Sequence, residues 1–119
     1  MEMLELLKEH PKSAIVIKQW FLEKMLESMK DQSVPEDFKN SIREAGIDNE
    51  RVAGVINSAP RALFDVFDSH KIYVEITVDQ AGGFWWNIGE TKSTSSYEYR
   101  INADKSAILE AFKLLEAKL

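Results

Sequence analysis

Residues 71–101 contain the feature that most constrains the fold, a strict alternation of apolar and polar side chains. Within residues 71–79, the apolar positions are Ile72, Val74, Ile76 and Val78. A period of two places these side chains on one face of a half-buried strand and the polar ones on the other. Gly82 and Gly83 then supply a turn, because glycine adopts positive φ without steric cost. The pattern therefore predicts a β-hairpin that turns near these two glycines.

The alternation resumes after the turn and predicts two further strands, at residues 84–88 and 97–101, separated by a polar loop at residues 90–96. The side chains predicted to face inward are Phe84, Trp86, Ile88, Tyr97, Tyr99 and Ile101. Those predicted to face outward include Trp85, Asn87, Glu98 and Arg100. Three consecutive strands joined by short loops favour an antiparallel meander.

The rest of the chain has helical spacing. Residues 13–31 form the strongest predicted helix, with apolar side chains at Ala14, Ile17, Phe21, Met25 and Met29. Shorter helices are predicted at residues 1–10, 33–46, 48–59 and 61–70. The second of these opens with a capping box, Ser33 to Glu36, and ends at Gly46. Its predicted inward residues are Phe38, Ile42 and Ala45, and the predicted cap of the helix that follows is Asp48.

A final helix is predicted after Asn102, which is expected to cap it. Its apolar side chains are Ala107, Ile108, Ala111, Phe112, Leu115 and Leu119, and we expect them to pack on the sheet. The predicted fold class is therefore α+β: N-terminal helices, a three-stranded antiparallel β-meander and a C-terminal helix packed on the sheet. We expect residues 1–119 to form one domain, divided into a helical layer at residues 1–70 and a βββα unit at residues 71–119.

Composition excludes several classes of protein. The chain has no cysteine, which rules out disulfides and cysteine-ligated zinc or iron–sulfur sites. No apolar run reaches the ~20 residues that a membrane helix needs, and residues 1–5 are acidic where a signal peptide is basic. We therefore expect a cytoplasmic protein that does not contact membranes.

The formal net charge is -5, and the acid is concentrated in residues 31–50. The acids there are Asp31, Glu36, Asp37, Glu44, Asp48 and Glu50, against the bases Lys39 and Arg43. One interpretation is a solvated helical surface. The other is a docking face for a protein with a basic surface, contacted through Glu36, Asp37 and Glu50.

The outward face of the predicted sheet is a second candidate binding surface. It carries two aromatic side chains, Tyr73 and Trp85, with Asn87 and Arg100 beside them. Aromatic side chains ringed by polar and charged groups are typical of interface hot spots. Two alternatives remain open: the N-terminal helices cover this face, or an aromatic side chain there is ordinary surface. The candidate contacts are Tyr73, Trp85, Asn87 and Arg100.

The sequence offers little support for catalysis. His10 and His70 each lack an obvious catalytic partner, and no nucleophile stands beside a base with an orienting group. Gly82 and Gly83 are not followed by the lysine and hydroxyl residue of a phosphate-binding loop. We therefore predict no enzymatic activity, no metal site and no cofactor.

Residues 41–57 resemble the helix-turn-helix of bacterial repressors. The turn would be Ala45, Gly46 and Ile47, with Asp48 as cap and Val52 and Val55 at buried positions of the second helix. The resemblance implies that residues 49–57 enter a DNA major groove. The recognition face it implies is Asp48, Asn49, Glu50, Arg51, Ala53, Gly54 and Asn57, which carries more acid than base. Such a face gains little from phosphate contacts.

Two further resemblances concern the second half of the chain. The order helix, three strands, helix is similar to a double-stranded-RNA-binding domain, and residues 105–107 and 111–115 resemble that family's last helix. The pattern over residues 84–119 also resembles the tails of small phage-encoded proteins. The residues that carry that likeness are Phe84, Trp85, Trp86, Asn87, Ile88, Tyr99, Arg100, Ala103, Ala107, Ile108 and Ala111. This second likeness implies a protein that binds and redirects a host factor.

Together these observations predict a small, acidic, non-enzymatic protein that binds another protein, as an inhibitor or adaptor of the phage type. The alternative is a nucleic-acid-binding protein or transcriptional regulator that uses the helix-turn-helix at residues 41–57. The two differ in a measurable way, because a nucleic-acid complex depends steeply on salt concentration.

Overall fold

The computed structural model describes residues 3–29 and 35–119. Within these residues the chain has an α+β fold, which confirms the predicted class. The helices are Met3–Glu9 (α1), Pro11–Ser28 (α2), Glu36–Ala45 (α3), Asn49–Ser58 (α4), Ala62–Ser69 (α5) and Arg100–Lys118 (α6). The strands are Val74–Val78 (β1), Phe84–Ile88 (β2) and Thr91–Lys92 (β3), which form an antiparallel sheet in the order β1-β2-β3.

The hairpin of β1 and β2 forms as the alternation predicts. Val74 pairs with Ile88 at one end of the hairpin, and Val78 pairs with Phe84 at the other. Trp86 and Ile88 are buried, as expected for side chains that point toward the core. The alternating pattern therefore predicted the hairpin and the face that each side chain occupies.

The third strand is not where the sequence predicts it. Residues 97–101 contribute only an isolated bridge, from Tyr97 to Phe84, and the chain enters α6 at Arg100 instead of after Asn102. The pairing strand β3 lies in the predicted loop. Gly89 has φ of +60°, which allows the chain to reverse directly after β2 and pair at once.

The early start of α6 changes which side chains face inward. Tyr97 is half-buried against the core, but Tyr99 and Ile101, both predicted to face inward, are 60% and 44% exposed. Tyr99 is the extended residue before the helix, so Arg100 belongs to the first turn of α6 rather than to a strand.

Helix α6 packs on one face of the sheet, as predicted, and occupies the centre of the core. Its fully buried apolar residues are Ala103, Ala107, Ile108, Ala111, Phe112 and Leu115. The Phe112 ring packs edge-on against the rings of Phe67 in α5, at 6.0 Å, and His10, at 5.7 Å. Leu119, predicted to pack inward, is 43% exposed because it follows the last helical turn.

Helix α3 departs from the prediction because it buries none of its residues. Phe38 is 53% exposed, Ala45 is exposed and Ile42 is half-buried, although all three are predicted to face inward. The helix contributes no residue to the core, and an ion pair of 3.7 Å from Arg43 Nε to Glu23 Oε1 joins it to α2. A short helix with one helical neighbour leaves part of its apolar stripe in solvent.

The predicted N-terminus of α3 is also only partly described. Ser33 of the predicted capping box lies outside the described residues, and Pro35 is the residue that precedes the helix.

The Cα radius of gyration is 16.0 Å, larger than the ~13.5 Å expected of a compact domain of this length. The fold is therefore elongated.

Two acidic residues of α6, Glu116 and Asp104, make polar contacts with the helical layer. The Glu116 carboxylate accepts the backbone N–H groups of Ser13, at 2.8 Å, and Lys12, at 3.2 Å, and so caps the first turn of α2 from outside that helix. Arg61 donates from Nε and Nη2 to both carboxylate oxygens of buried Asp104, at 3.0 and 3.3 Å. Burial raises the pKa of Glu116, but the N–H donors of Ser13 and Lys12 outweigh it and lower the pKa overall.

Among the described residues, no helix has both the length and the apolar character required to cross a membrane.

Candidate protein-interaction face

Helix α6 packs on one side of the sheet and leaves the opposite side open. We call this open side the outer face. Its side chains are Tyr73, Glu75, Thr77, Trp85, Asn87 and Lys92. Thr77 lies opposite Trp85, and Asn87 lies between Glu75 and Lys92 on the neighbouring strands. Four of these side chains are exposed, namely Tyr73, Glu75, Thr77 and Lys92, so the N-terminal helices do not cover this face.

The indole ring of Trp85 is held in place by the hairpin turn. Its Nε1–H donates to Asp79 Oδ2 at 2.8 Å. The other carboxylate oxygen, Oδ1, accepts the backbone N–H groups of Ala81 and Gly83, both at 2.9 Å. A single carboxylate therefore closes the turn and orients the half-buried aromatic ring on the outer face.

These donors change the protonation of Asp79. The indole N–H of Trp85 contributes most, followed by the backbone N–H of Gly83, and together they hold the pKa of the carboxyl below its usual value against a small opposing effect of desolvation. Hydrogen bonds to the charged form of a carboxylate favour ionisation. The turn is therefore in its bonded state at neutral pH.

Acid is expected to release the Trp85 ring. Because the folded pKa of Asp79 is lowered, its contribution to stability is present above the unfolded pKa of ~4 and is lost as pH falls through the folded value. The Nε1–H resonance of Trp85 in NMR spectra should report this titration. In Asp79→Asn the same resonance should not titrate. A wild-type resonance that responds to acid in the same way as that of Asp79→Asn would contradict the assigned contact.

The two aromatic residues of the outer face differ in their freedom. Tyr73 is 58% exposed, whereas Trp85 is half-buried and bonded to Asp79. Arg100 is not on this face. Its guanidinium carbon lies 4.9 Å from the centre of the Phe84 ring, on the side of the sheet where α6 packs. The structure therefore places Tyr73, Trp85 and Asn87 on one face of the sheet and Arg100 on the other side.

The acidic residues predicted as contacts lie on the helical layer. Glu36 and Asp37 are exposed in the first turn of α3, and Glu50 is exposed in the first turn of α4. Negative side chains in a first turn are favoured by the partial positive charge of the helix N-terminus, which gives these acids a structural role as well. Asp48 caps α4 as predicted, with Oδ1 accepting the Arg51 N–H at 2.8 Å. Asp31 lies outside the described residues.

Helices α3 and α4 occupy the segment that resembles a helix-turn-helix. Ala53, which the resemblance places on the recognition face, is buried, and Asn49 is half-buried with an Oδ1 atom that has no hydrogen-bond partner among the described residues. Val55, which the resemblance places at a buried position, is 39% exposed. Ala53, Asn49 and Val55 thus lie in environments that differ from those the resemblance gives them.

Two shallow clefts lie beside α3. The larger, of about 340 Å³, is lined mainly by α2 and by the turn after α3, with Ile15, Lys18 and Ile47 among its residues. The smaller, of about 310 Å³, lies between α2 and α3, and Arg43 borders both clefts.

Within residues 3–29 and 35–119, no three acidic or histidine side chains are grouped as metal ligands. The His10 ring donates from Nδ1 to the Leu6 carbonyl at 2.9 Å.

Comparison of the chain with protein-family models, with curated proteins and with solved structures finds no match.

Sequence reasoning missed one member of the outer face, Lys92, and the role of Asp79 in the turn beside it. Lys92 reaches it only because β3 forms inside the predicted loop. The role of Asp79 could have been inferred, since an aspartate followed by two glycines within four residues is a common side-chain-capped turn.

Proposed function

We propose that this chain is a small, non-enzymatic protein that binds another protein through its outer face, as an inhibitor or adaptor of the phage type. The observation that carries the proposal is that one face of the sheet presents both an exposed tyrosine, Tyr73, and a tryptophan, Trp85, whose ring is already fixed by Asp79. Tyrosine and tryptophan are the residues most enriched at the energetic centres of interfaces.

The fixed ring is what favours binding over ordinary surface. A side chain that is free before association loses rotamer entropy when a partner immobilises it, at ~0.5–1.5 kcal/mol per side chain. The Trp85 ring is already restrained by its bond to Asp79, so less of this entropy is lost. The face is therefore preorganised around one large aromatic group.

Charge supports a partner with a basic surface. The chain carries a net charge of -5, and Glu75 on the outer face and Glu36, Asp37 and Glu50 on the helical layer are all exposed. Such a distribution of negative charge accelerates association with a basic protein. The association rate should fall as ionic strength rises, because salt screens the attraction. It opposes binding to nucleic-acid phosphates.

The proposal is tested by replacing Tyr73 with alanine. A tagged wild-type chain is first used to isolate a stoichiometric protein from lysate, and the affinity of that purified partner is then measured. Tyr73→Ala should weaken binding by about 30-fold or more, the factor that corresponds to the ~2 kcal/mol of a hot-spot residue. Tyr99→Ala is the matched control, because Tyr99 is 60% exposed but lies outside the outer face.

Three results would contradict the proposal. Equal losses of affinity in Tyr73→Ala and Tyr99→Ala would show that the outer face is not the contact. Failure to isolate any stoichiometric protein would remove the basis for an adaptor. The third result would favour the alternative of nucleic-acid binding through residues 41–57. In that case nuclease treatment removes the captured material, Arg51→Glu lowers the affinity, and the affinity depends steeply on salt concentration.

A further inference from the structure

Strand β1 lies at the edge of the sheet, and one side of its backbone has no partner among the described residues. The Asp79 N–H donates to the Gly83 carbonyl at 2.9 Å, toward β2. Backbone direction alternates along a strand, so Thr77 and Glu75 also face β2. Val74, Ile76 and Val78 direct their N–H and C=O groups away from the sheet. No turn, loop or side-chain hydrogen bond of the described chain reaches them.

This edge has few of the devices that prevent strands from pairing with other molecules. Native edges are blocked by proline, by charged side chains, by a bulge, by a charge that points toward the core or by a covering segment. The sequence of Val74–Val78 has no proline, its register is regular, and its only charged side chain, Glu75, is on the outer face. On the α6 side, Val78 is 58% exposed. The edge therefore combines unpaired backbone with an uncovered apolar side chain.

We propose that a second copy of this chain pairs with the edge, β1 antiparallel to β1, about a twofold axis at Ile76. Val74 of each copy then lies beside Val78 of the other, and the Ile76 residues face each other. These residues are the ones whose backbone groups point outward, so the pairing satisfies them and covers Val78. Two three-stranded sheets become one six-stranded sheet, with an α6 helix from each copy on the same side.

The side chains of β1 are compatible with those of a second copy in one register. With the axis at Ile76, all five residues of β1 are paired, and the outer-face pairs are Glu75 with Thr77 and Tyr73 with Asp79. The outward N–H and C=O groups can bond each other only if the twofold axis lies on a residue of the strand. Moving the axis by one residue changes the partner of every residue by two positions. An axis at Glu75 sets the two Glu75 side chains against each other, and an axis at Thr77 sets Glu75 against Asp79. Like charges directly opposite are destabilising.

This pairing goes beyond the proposed partner binding, because it uses the backbone edge and not the side chains of the outer face. The outer faces of the two copies become continuous and remain open. A contact of five residues per strand is small beside the ~1,200–2,000 Å² of stable complexes, so we expect a concentration-dependent dimer.

Sedimentation equilibrium over a wide range of protein concentration tests the dimer. Val78→Pro removes one of the outward N–H groups but no bond to β2, and proline is tolerated at such edge positions. It should abolish the dimer, whereas Val78→Thr, which keeps the N–H and the β-branched shape, should retain it. Circular dichroism and the thermal midpoint establish that Val78→Pro is folded. If that variant does not fold, Val78→Lys replaces it, since lysine also blocks exposed edges.

Disulfide trapping tests the register. The native chain has no cysteine, so single substitutions are unambiguous. Glu75 and Thr77 of opposite copies form a non-hydrogen-bonded pair with Cα atoms ~4.5 Å apart, within the range that a disulfide spans. A mixture of Glu75→Cys and Thr77→Cys chains in a glutathione redox buffer should form the mixed disulfide in preference to either homodimer.

Each outcome decides the proposal. Loss of the dimer in Val78→Pro with trapping of the mixed pair supports it. A wild-type chain that stays monomeric at the highest concentration overturns it, and so does a dimer that persists in folded Val78→Pro. A disulfide homodimer of Glu75→Cys or of Thr77→Cys, formed in preference to the mixed disulfide, overturns the register. Affinity for an isolated protein partner that survives in Val78→Pro leaves the proposed function intact, so the two proposals fail independently.

Discussion

Replacing Phe112 with alanine is expected to lower the free energy of unfolding by about 3–5 kcal/mol, the largest effect of any single change considered. Phe112 has no exposed surface and lies where three helical segments meet. Its ring contacts Phe67 of α5 at 6.0 Å and His10, before α2, at 5.7 Å. Alanine would leave a cavity that the surrounding rings cannot fill, since each is fixed by its own backbone.

Urea denaturation measures this loss as a lower midpoint at constant slope. Leu119→Ala is the control, because Leu119 is a large apolar residue near the end of the same helix and 43% exposed, so it should change stability by less than about 1 kcal/mol. Phe112→Leu should fall between the two variants. A loss in Phe112→Ala no larger than that in Leu119→Ala would show that the α6 core is packed differently.

The second large effect is expected from Gly83→Ala, which should destabilise the chain by about 1–3 kcal/mol. A Cβ atom on Gly83 would lie 2.8 Å from Ser96 Cβ, 2.9 Å from Ser96 Oγ and 3.0 Å from Asp79 Oδ2. The first two contacts push away the segment that carries the Tyr97 bridge to Phe84. The third disturbs the carboxylate that orients Trp85, so the tryptophan fluorescence should change together with stability.

Gly54→Ala is the matched control. Gly54 lies within α4, and a Cβ atom there meets nothing within 4 Å. Alanine should therefore stabilise the chain by ~0.5–1 kcal/mol through its higher helix propensity. Ser96→Gly in the Gly83→Ala background removes the clashing Cβ and Oγ atoms and should recover part of the loss. If both glycine variants changed stability in the same direction, the close approach of residue 96 to the turn would be wrong.

The sequence determined the elements whose periodicity is strong. Alternation in β1 and β2 specified the strands and the face of each side chain, because a slip of one residue would move the whole apolar set to solvent. Helical spacing located α2, α4, α5 and α6, and the cap at Asp48 was visible in the sequence because its hydrogen bond is local. Residues that later proved to share the outer face, Tyr73, Trp85 and Asn87, followed from the same period of two.

Prediction failed where a choice depended on distant partners. Residues 97–101 alternate as a strand would, yet Arg100 and Ile101 are helical, since α6 gains its position from packing on the sheet. Phe38 lies on an apolar stripe that is typical of a buried helix, but whether a stripe is covered depends on which helix lies beside it. The predicted site accordingly lost Arg100 from the sheet and gained Lys92.

Long-range polar contacts were decided by the tertiary structure alone. Glu116 caps α2 from a position 103 residues away from Ser13, and Arg61 pairs with Asp104 across 43 residues. No local pattern marks such partners, because a carboxylate's partner depends on which backbone comes within ~3 Å of it after folding. The same holds for the free edge of β1. The sequence specified a strand there, but only the assembled sheet order left one side of that strand without a partner among residues 3–29 and 35–119, since β3 joined β2 and not β1.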